Sequence, residues 1–193
     1  MTLVNRFGMT STFAALGIAL CGLSGTAVAS PITWSGNGHS YQVVASNSIS
    51  WDDSHAAALA LGAGWDLASI TSLGEQNFIA GLLGPGSGAL IEYYIGGTYV
   101  SGAWTWSNGD AFGFSYFGAG EPNGLASEPH LALDARYNVP NWGWNDYTGA
   151  GSSFVAGFVA ESAAPAAIPE PSTLGMLALG IAGLGFRFRK RNA

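Results

Sequence analysis

The pattern of apolar and polar positions divides the middle of the chain into a helical part followed by a strand-rich part. His39 to Val44 alternates, with Tyr41 and Val43 on one face, and predicts a first strand. Ser50-x-x-Asp53 then reads as the capped start of a helix, with Trp51, His55, Ala58, Leu59 and Gly62 near one face. Gly62 and Gly64 stop it. A second helix opens at Ser72-x-x-Glu75, buries a stripe of Phe78, Ile79, Leu82 and Leu83, and ends at Gly84-Pro85-Gly86. Beyond Pro85 the period changes. Tyr93 to Gly97 predicts a strand, and the alternation at Trp104 and Trp106, with Asn108-Gly109 behind it, predicts a hairpin. His130 to Asp134 alternates again, and Phe154 to Ala160 forms a closing apolar strand. Two helices followed by short strands predict an α+β fold. No internal repeat is visible.

Both ends of the chain differ in character from this middle. Residues 1–29 resemble a secretory signal peptide: Arg6 is the positive region, Phe13 to Leu23 the apolar stretch, and Ala27-Val28-Ala29 the small-residue cleavage site. Cys21, the single cysteine, lies inside that stretch behind Leu20, where a lipoprotein signal would want a small residue. The expected mature protein is therefore cysteine-free and rests on its core, with metal as a further source of stability. Small residues from Ala163 to Ile168 read as a linker. Residues 169–193 then hold Pro169-Glu170-Pro171, an uncharged run from Ser172 to Phe186, and a basic end of Arg187, Arg189, Lys190 and Arg191. This arrangement resembles the PEP-CTERM sorting tail of Gram-negative bacteria. The resemblance implies transient insertion in the inner membrane and removal by an exosortase-type protease, with a permanent anchor as the alternative. The run is short for a membrane helix, which needs about 17–25 residues.

The whole chain has 193 residues and a formal charge of −6. Setting the two ends aside changes that picture. Residues 31–162, the expected domain, contain eleven acids and one strong base, Arg136. So acidic a surface excludes a nucleic-acid partner, whose phosphates need basic contacts. It suits a cation and a neutral sugar instead.

The candidate chemistry is concentrated between Glu121 and Asp146. Glu121-Pro122-Asn123, Glu128 and Trp144-Asn145-Asp146 supply three carboxylates and two amides, all hard oxygen donors of the type calcium takes. Zinc or copper would want histidine or cysteine, which are nearly absent here. A cis bond before Pro122 would turn Glu121 and Asn123 toward one point. The two motifs, in this order, resemble the calcium and sugar site of C-type lectins. The resemblance extends over about Gly38 to Glu161, through Leu67-Ala68-Ser69-Ile70, Tyr94-Ile95-Gly96-Gly97 and Trp104-Thr105-Trp106-Ser107-Asn108-Gly109. It implies a C-type lectin-like fold in which the first and last strands pair beneath long, irregular ligand loops. It also implies one Ca2+ held by Glu121, Asn123, Glu128, Asn145 and Asp146. Glu121, Asn123, Glu128 and Asn145 would contact the sugar, and Glu-Pro-Asn implies mannose-type preference where Gln-Pro-Asp goes with galactose.

Several positions depart from the pattern of those lectins. The two disulfides common among them are missing, His130 stands where one cysteine would be, and Pro129 replaces an acidic residue that often follows the third ligand. Tyr137 to Gly143 reads as an insertion, which leaves Asp134 and Asn141 as alternatives to Glu128. Trp51, Trp104, Trp106 and Trp144 are expected in the core, and Trp142, within the insertion, is the candidate for stacking on a sugar. His39, His55 and His130 are scattered and no catalytic constellation is visible; Glu121 and Glu128, read as a glycosidase pair, are already committed to metal. The expectation is a binding protein rather than an enzyme: an exported, calcium-dependent lectin for extracellular polysaccharide. A matrix or adhesion protein using the fold for protein contacts, with purely structural calcium, is the alternative. If the tail is a processing signal, secreted protein should end upstream of Ser172, near residues 169–171. Intact mass measurement tests this; surface material that retains Ala193 would indicate the permanent anchor.

Overall fold

A computed structural model describes residues 30–163. The expected signal peptide and the sorting tail, with its short apolar run, lie outside the described residues. Among the described residues no helix is long and apolar enough to cross a membrane. The elements run β1 (Ile32–Thr33), β2 (Ser40–Ala45), α1 (Trp51–Leu59), β3 (Trp65–Leu67), α2 (Leu73–Leu83), β4 (Glu92–Val100), β5 (Ala103–Trp106), a 3-10 turn (Leu125–Ser127), β6 (His130–Asp134), β7 (Gly143–Tyr147) and β8 (Val155–Ser162). This is the α+β arrangement expected.

Both helices begin at the predicted serines. Ser50 accepts from the Asp53 amide at 3.1 Å and Ser72 from the Glu75 amide at 3.2 Å, satisfying amide groups that the first turn leaves open. Their buried faces differ from the apolar stripes read along the chain. On α1, Ser54 is buried and Leu59 is 50% exposed, because the helix ends at Leu59 and carries it past the sheet. On α2 the fully buried positions include Glu75 and Gln76, while Phe78, Leu82 and Leu83 lie at the core margin.

The strands form one sheet in the order β1-β2-β8-β4-β6-β7, with β3 pairing the end of β8, from Leu67↔Ala160 to Trp65↔Ser162, and β5 on β4. The first long strand and the last pair antiparallel from Ser40↔Ser162 to Ala45↔Gly157. The pairing of β8 with β4 is parallel. Strand alternation divides the core in two. Tyr41, Ile95, Leu131, Leu133 and Val159 face one cluster, closed by Ile79 of α2; Tyr94, Ala132, Phe158 and Ala160 face the other, closed by Trp51 and Ala58 of α1.

The hairpin turn lies elsewhere than predicted. Val100 pairs with Ala103, so the turn residues are Ser101 and Gly102, with φ of 53° and 89°. Positive φ at both positions is the geometry that matches the twist of a two-residue hairpin. Asn108-Gly109 follows β5 as a separate turn, in which the Gly109 amide donates to the Trp106 carbonyl at 3.1 Å.

Without disulfides, buried polar ties fix the helices to the sheet. The Tyr41 hydroxyl donates to Glu75 of α2 and, at 3.2 Å, to Glu161 of β8. Where a cysteine is expected from the resemblance, the His130 ring lies flat on Trp51, with centroids 4.4 Å apart. Gln76 is the third tie. Its Nε2 donates to the carbonyls of Asn141 (2.8 Å) and Trp142 (2.7 Å), and its Oε1 accepts from Trp144 Nε1 at 2.7 Å. Gln76→Leu keeps the approximate volume but leaves three buried groups without partners. Each costs about 1–3 kcal/mol, so the variant should lose at least about 3 kcal/mol in urea unfolding. A loss under about 1 kcal/mol would show that these bonds are dispensable.

Candidate functional site

β7 and the loop before the 3-10 turn build the site together. A bridge from Phe117 to Trp144 brings the loop to the strand. Trp144 is fully buried beneath the rings of Trp106, Phe112, Phe114 and Phe117, with centroids 5.5–6.1 Å away. This anchors β7, and the next two residues, Asn145 and Asp146, reach the cleft. The Glu121–Pro122 bond is cis. The Asp146 carboxylate holds the loop: Oδ1 accepts from the Asn123 amide at 2.9 Å, and Oδ2 from the amides of Gly124 and Leu125 at 2.8 and 2.7 Å.

Glu121, Asn123, Glu128, Asn145 and Asp146 line one cleft of about 300 Å3, together with Glu92, Arg136, Tyr137, Tyr147, Leu90 and Phe154. Glu128 lines it, whereas neither alternative does. Asp134 is fully buried and clamped by Arg136 at 2.5–3.1 Å, and Asn141 meets Gln76 through its carbonyl.

Trp142 is a correction. It is 4% exposed, its Nε1 donates to the Gly84 carbonyl at 2.7 Å, and its ring meets Tyr93 edge-on. It lies in the core beside Trp144 and offers no face to a sugar, because the 137–143 segment folds back onto α2 instead of projecting over the cleft.

Three residues of the cleft were not singled out from the sequence. Glu92 on β4 is 1% exposed; its Oε1 accepts from Asn145 Nδ2 at 2.9 Å, and its Oε2 has no hydrogen-bond partner among the described residues. Tyr137 donates its hydroxyl to Glu121 Oε1 at 2.6 Å, while Glu121 Oε2 is buried without a partner. Arg136 lies between them, 3.9 Å from Glu92 Oε1 and with its guanidinium 5.1 Å above the Tyr137 ring centre. A lone acid in an aromatic strand and the domain's single strong base were the available signals.

The carboxylates are destabilised as anions. Burial, reinforced by the Asp134 charge, pushes Glu92 up to about 7. Glu121 is raised by burial and by Asp146, against the Tyr137 hydrogen bond, and Glu128 by burial, Asp146 and Glu121. Carboxylate and amide oxygens of this kind are the donor type a hard cation takes, and Glu92 Oε2 and Glu121 Oε2 are buried without partners among the described residues. The cleft is open, and among the described residues no group of three or more acidic, histidine or cysteine side chains is placed to hold a metal ion.

Comparison with known proteins agrees with this architecture. The C-type lectin domain of murine dendritic cell inhibitory receptor 2, solved in complex with an N-glycan, superposes with a TM-score of 0.52 at 24% identity, covering 64% of this chain and 89% of that one. The domain has the C-type lectin-like fold. A calcium-dependent type II antifreeze protein, in its calcium-free form, is similar at a TM-score of 0.54 and 22% identity, over 68% of this chain and 96% of that one. In sequence, the chain is 32% identical over 104 residues to nattectin, a galactose-specific lectin of Thalassophryne nattereri. That match covers 53% of this chain and 64% of nattectin. Residues 167–190 match the PEP-CTERM protein-sorting motif.

The raised Glu92 has a consequence for metal-free protein. Between the ordinary carboxylate value near 4.5 and about 7, the folded lectin-like domain holds a proton that the unfolded chain has released. Stability should therefore fall as pH rises through that window, by up to roughly 3 kcal/mol at about 1.4 kcal/mol per pH unit. Glu92→Gln keeps the acceptor for Asn145 and should remove this loss. Denaturant unfolding in chelator from pH 4.5 to 8 checks it; parallel profiles for the two proteins would refute the assignment.

Proposed function

We propose that the protein is an exported carbohydrate-binding module that uses one calcium ion, and that Glu121, Asn123, Glu128, Asn145 and Asp146 hold it. The observation that carries this reading is their meeting in one cleft, where Glu121 Oε2, and Glu92 Oε2 beside Asn145, are buried without partners among the described residues. Bound there, calcium would offer its remaining coordination positions to neighbouring sugar hydroxyls. Glu121 then accepts a hydrogen bond from one hydroxyl and Asn123 donates to another, the polarity that goes with mannose-type sugars. Nattectin is by name galactose-specific, so preference is the point at which this chain and that relative are proposed to part. The PEP-CTERM motif supports export through the membrane to the cell surface and exosortase-type processing, and extracellular polysaccharide is the partner proposed there.

A matrix or adhesion role with purely structural calcium is a second reading. The burial of Trp142, which removes the expected sugar platform, favours it. Binding to a glycan array that is blocked by chelator and competed by free sugar separates the two.

Calcium should stabilise the native state by about 2.7 kcal/mol at a hundred times Kd, a rise in Tm of roughly 10 °C for a domain of this size. Glu128→Gln should remove most of that shift and Asp52→Ala none of it. An unchanged melting curve with calcium and with chelator would exclude the metal. The double substitution Glu121→Gln with Asn123→Asp preserves the balance of charges and reverses donor and acceptor toward the sugar. It should keep calcium and lose mannose preference in calorimetry. Retained preference would mean that these residues do not read the sugar.

A further inference from the structure

Tyr137 stands in the segment that reads as an insertion, yet it is held more firmly than a loop residue needs to be. A Cβ placed on Gly118 would lie 2.2 Å from Tyr137 Cγ, and one on Gly143 would lie 2.5 Å from Tyr137 Cβ. Two chain segments thus approach this side chain as closely as glycine allows. The Gly143 amide donates to the Tyr137 carbonyl at 2.9 Å, which fixes its backbone. Over the ring lies Arg136, itself immobilised by its bonds to Asp134 at 2.5–3.1 Å. Gly118, Gly143 and Arg136 thus bound the side chain, and the hydroxyl meets Glu121 Oε1 at 2.6 Å.

Glu121 has no other hydrogen-bond donor in this arrangement, and a glutamate side chain is otherwise free to choose among rotamers. We infer that Tyr137 is the positioning residue of the cleft: its hydroxyl holds Glu121 Oε1 and so fixes how the Glu121 carboxylate stands where the ligand is to bind. This deepens the proposed function and rests on it. Pre-organisation of this kind improves affinity by removing the ordering cost from the binding step. It also makes Tyr137 a determinant of sugar preference, since Glu121 is the acceptor that the hydroxyls would meet.

Tyr137→Phe removes one oxygen and leaves the ring, its glycine contacts and Arg136 in place. In calcium titration of the full chain by calorimetry, this variant should bind about tenfold more weakly, the scale of one hydrogen bond to a charged group. Tm measured in chelator should change by no more than a few degrees. Gly118→Ala keeps the hydroxyl but displaces the ring, and should weaken calcium binding similarly. Adding it to Tyr137→Phe should cost little more, because both act through the same bond. Calcium affinity within twofold of wild type in Tyr137→Phe would overturn the inference while leaving the functional reading intact, and a drop in Tm alone would reduce Tyr137 to a structural brace. Wild-type protein that takes up no calcium would overturn both.

Discussion

Burial of Trp144 is the constraint on which the site depends. Its ring is enclosed by four aromatic side chains and its indole N–H is bound by Gln76. A strand turns alternate residues to opposite faces, so a slip of one position would move Trp144 and Asp146, which share a face, to the other side of the sheet and put Asn145 in their place. Fixing Trp144 therefore fixes Asn145 and Asp146. By accepting hydrogen bonds from three backbone N–H groups Asp146 then fixes the loop that carries Glu121 and Asn123.

The same economy holds across the domain. Buried polar residues tie segments that are distant along the chain: Tyr41 to Glu75 and Glu161, Gln76 to the 141–144 segment, and Trp51 Nε1 to the Ile95 carbonyl at 2.9 Å. In a region without cysteine these bonds, together with two apolar clusters on opposite faces of the sheet, give α1 and α2 unique positions. Paired polar groups are costly to disrupt one at a time, which is why they specify one arrangement.

The cleft, by contrast, is poorly compensated. Glu92, Glu121 and Glu128 are raised above their ordinary values by burial and by neighbouring carboxylates, and two carboxylate oxygens, on Glu92 and Glu121, are buried without partners among the described residues. Stability is given up at this point, in a domain whose helices are otherwise held by paired buried polar groups. Arg136, placed between Asp134 and Glu92, offsets part of the charge behind the cleft and braces Tyr137.

Local chemistry fixed much of this in advance. Ser50 and Ser72 cap their helices because a hydroxyl there satisfies amides of its own first turn. His130 to Asp134 alternates because one strand must serve two faces. The Glu-Pro-Asn and Trp-Asn-Asp motifs are short enough to be legible without a fold, and the four oxygen donors they contribute, with Glu128 between them, were visible as types. Tertiary structure decided the rest. Leu59 is exposed and Gln76 buried because burial depends on what lies opposite, not on helical period. Trp142 belongs to the core because Gly84 offers it a carbonyl, 58 positions away along the chain. Glu92 and Tyr137 are part of the cleft because β4 and the 137–143 segment pass behind it. No spacing in the sequence records that approach, since it is set by sheet order and by two glycines that let a phenol ring through.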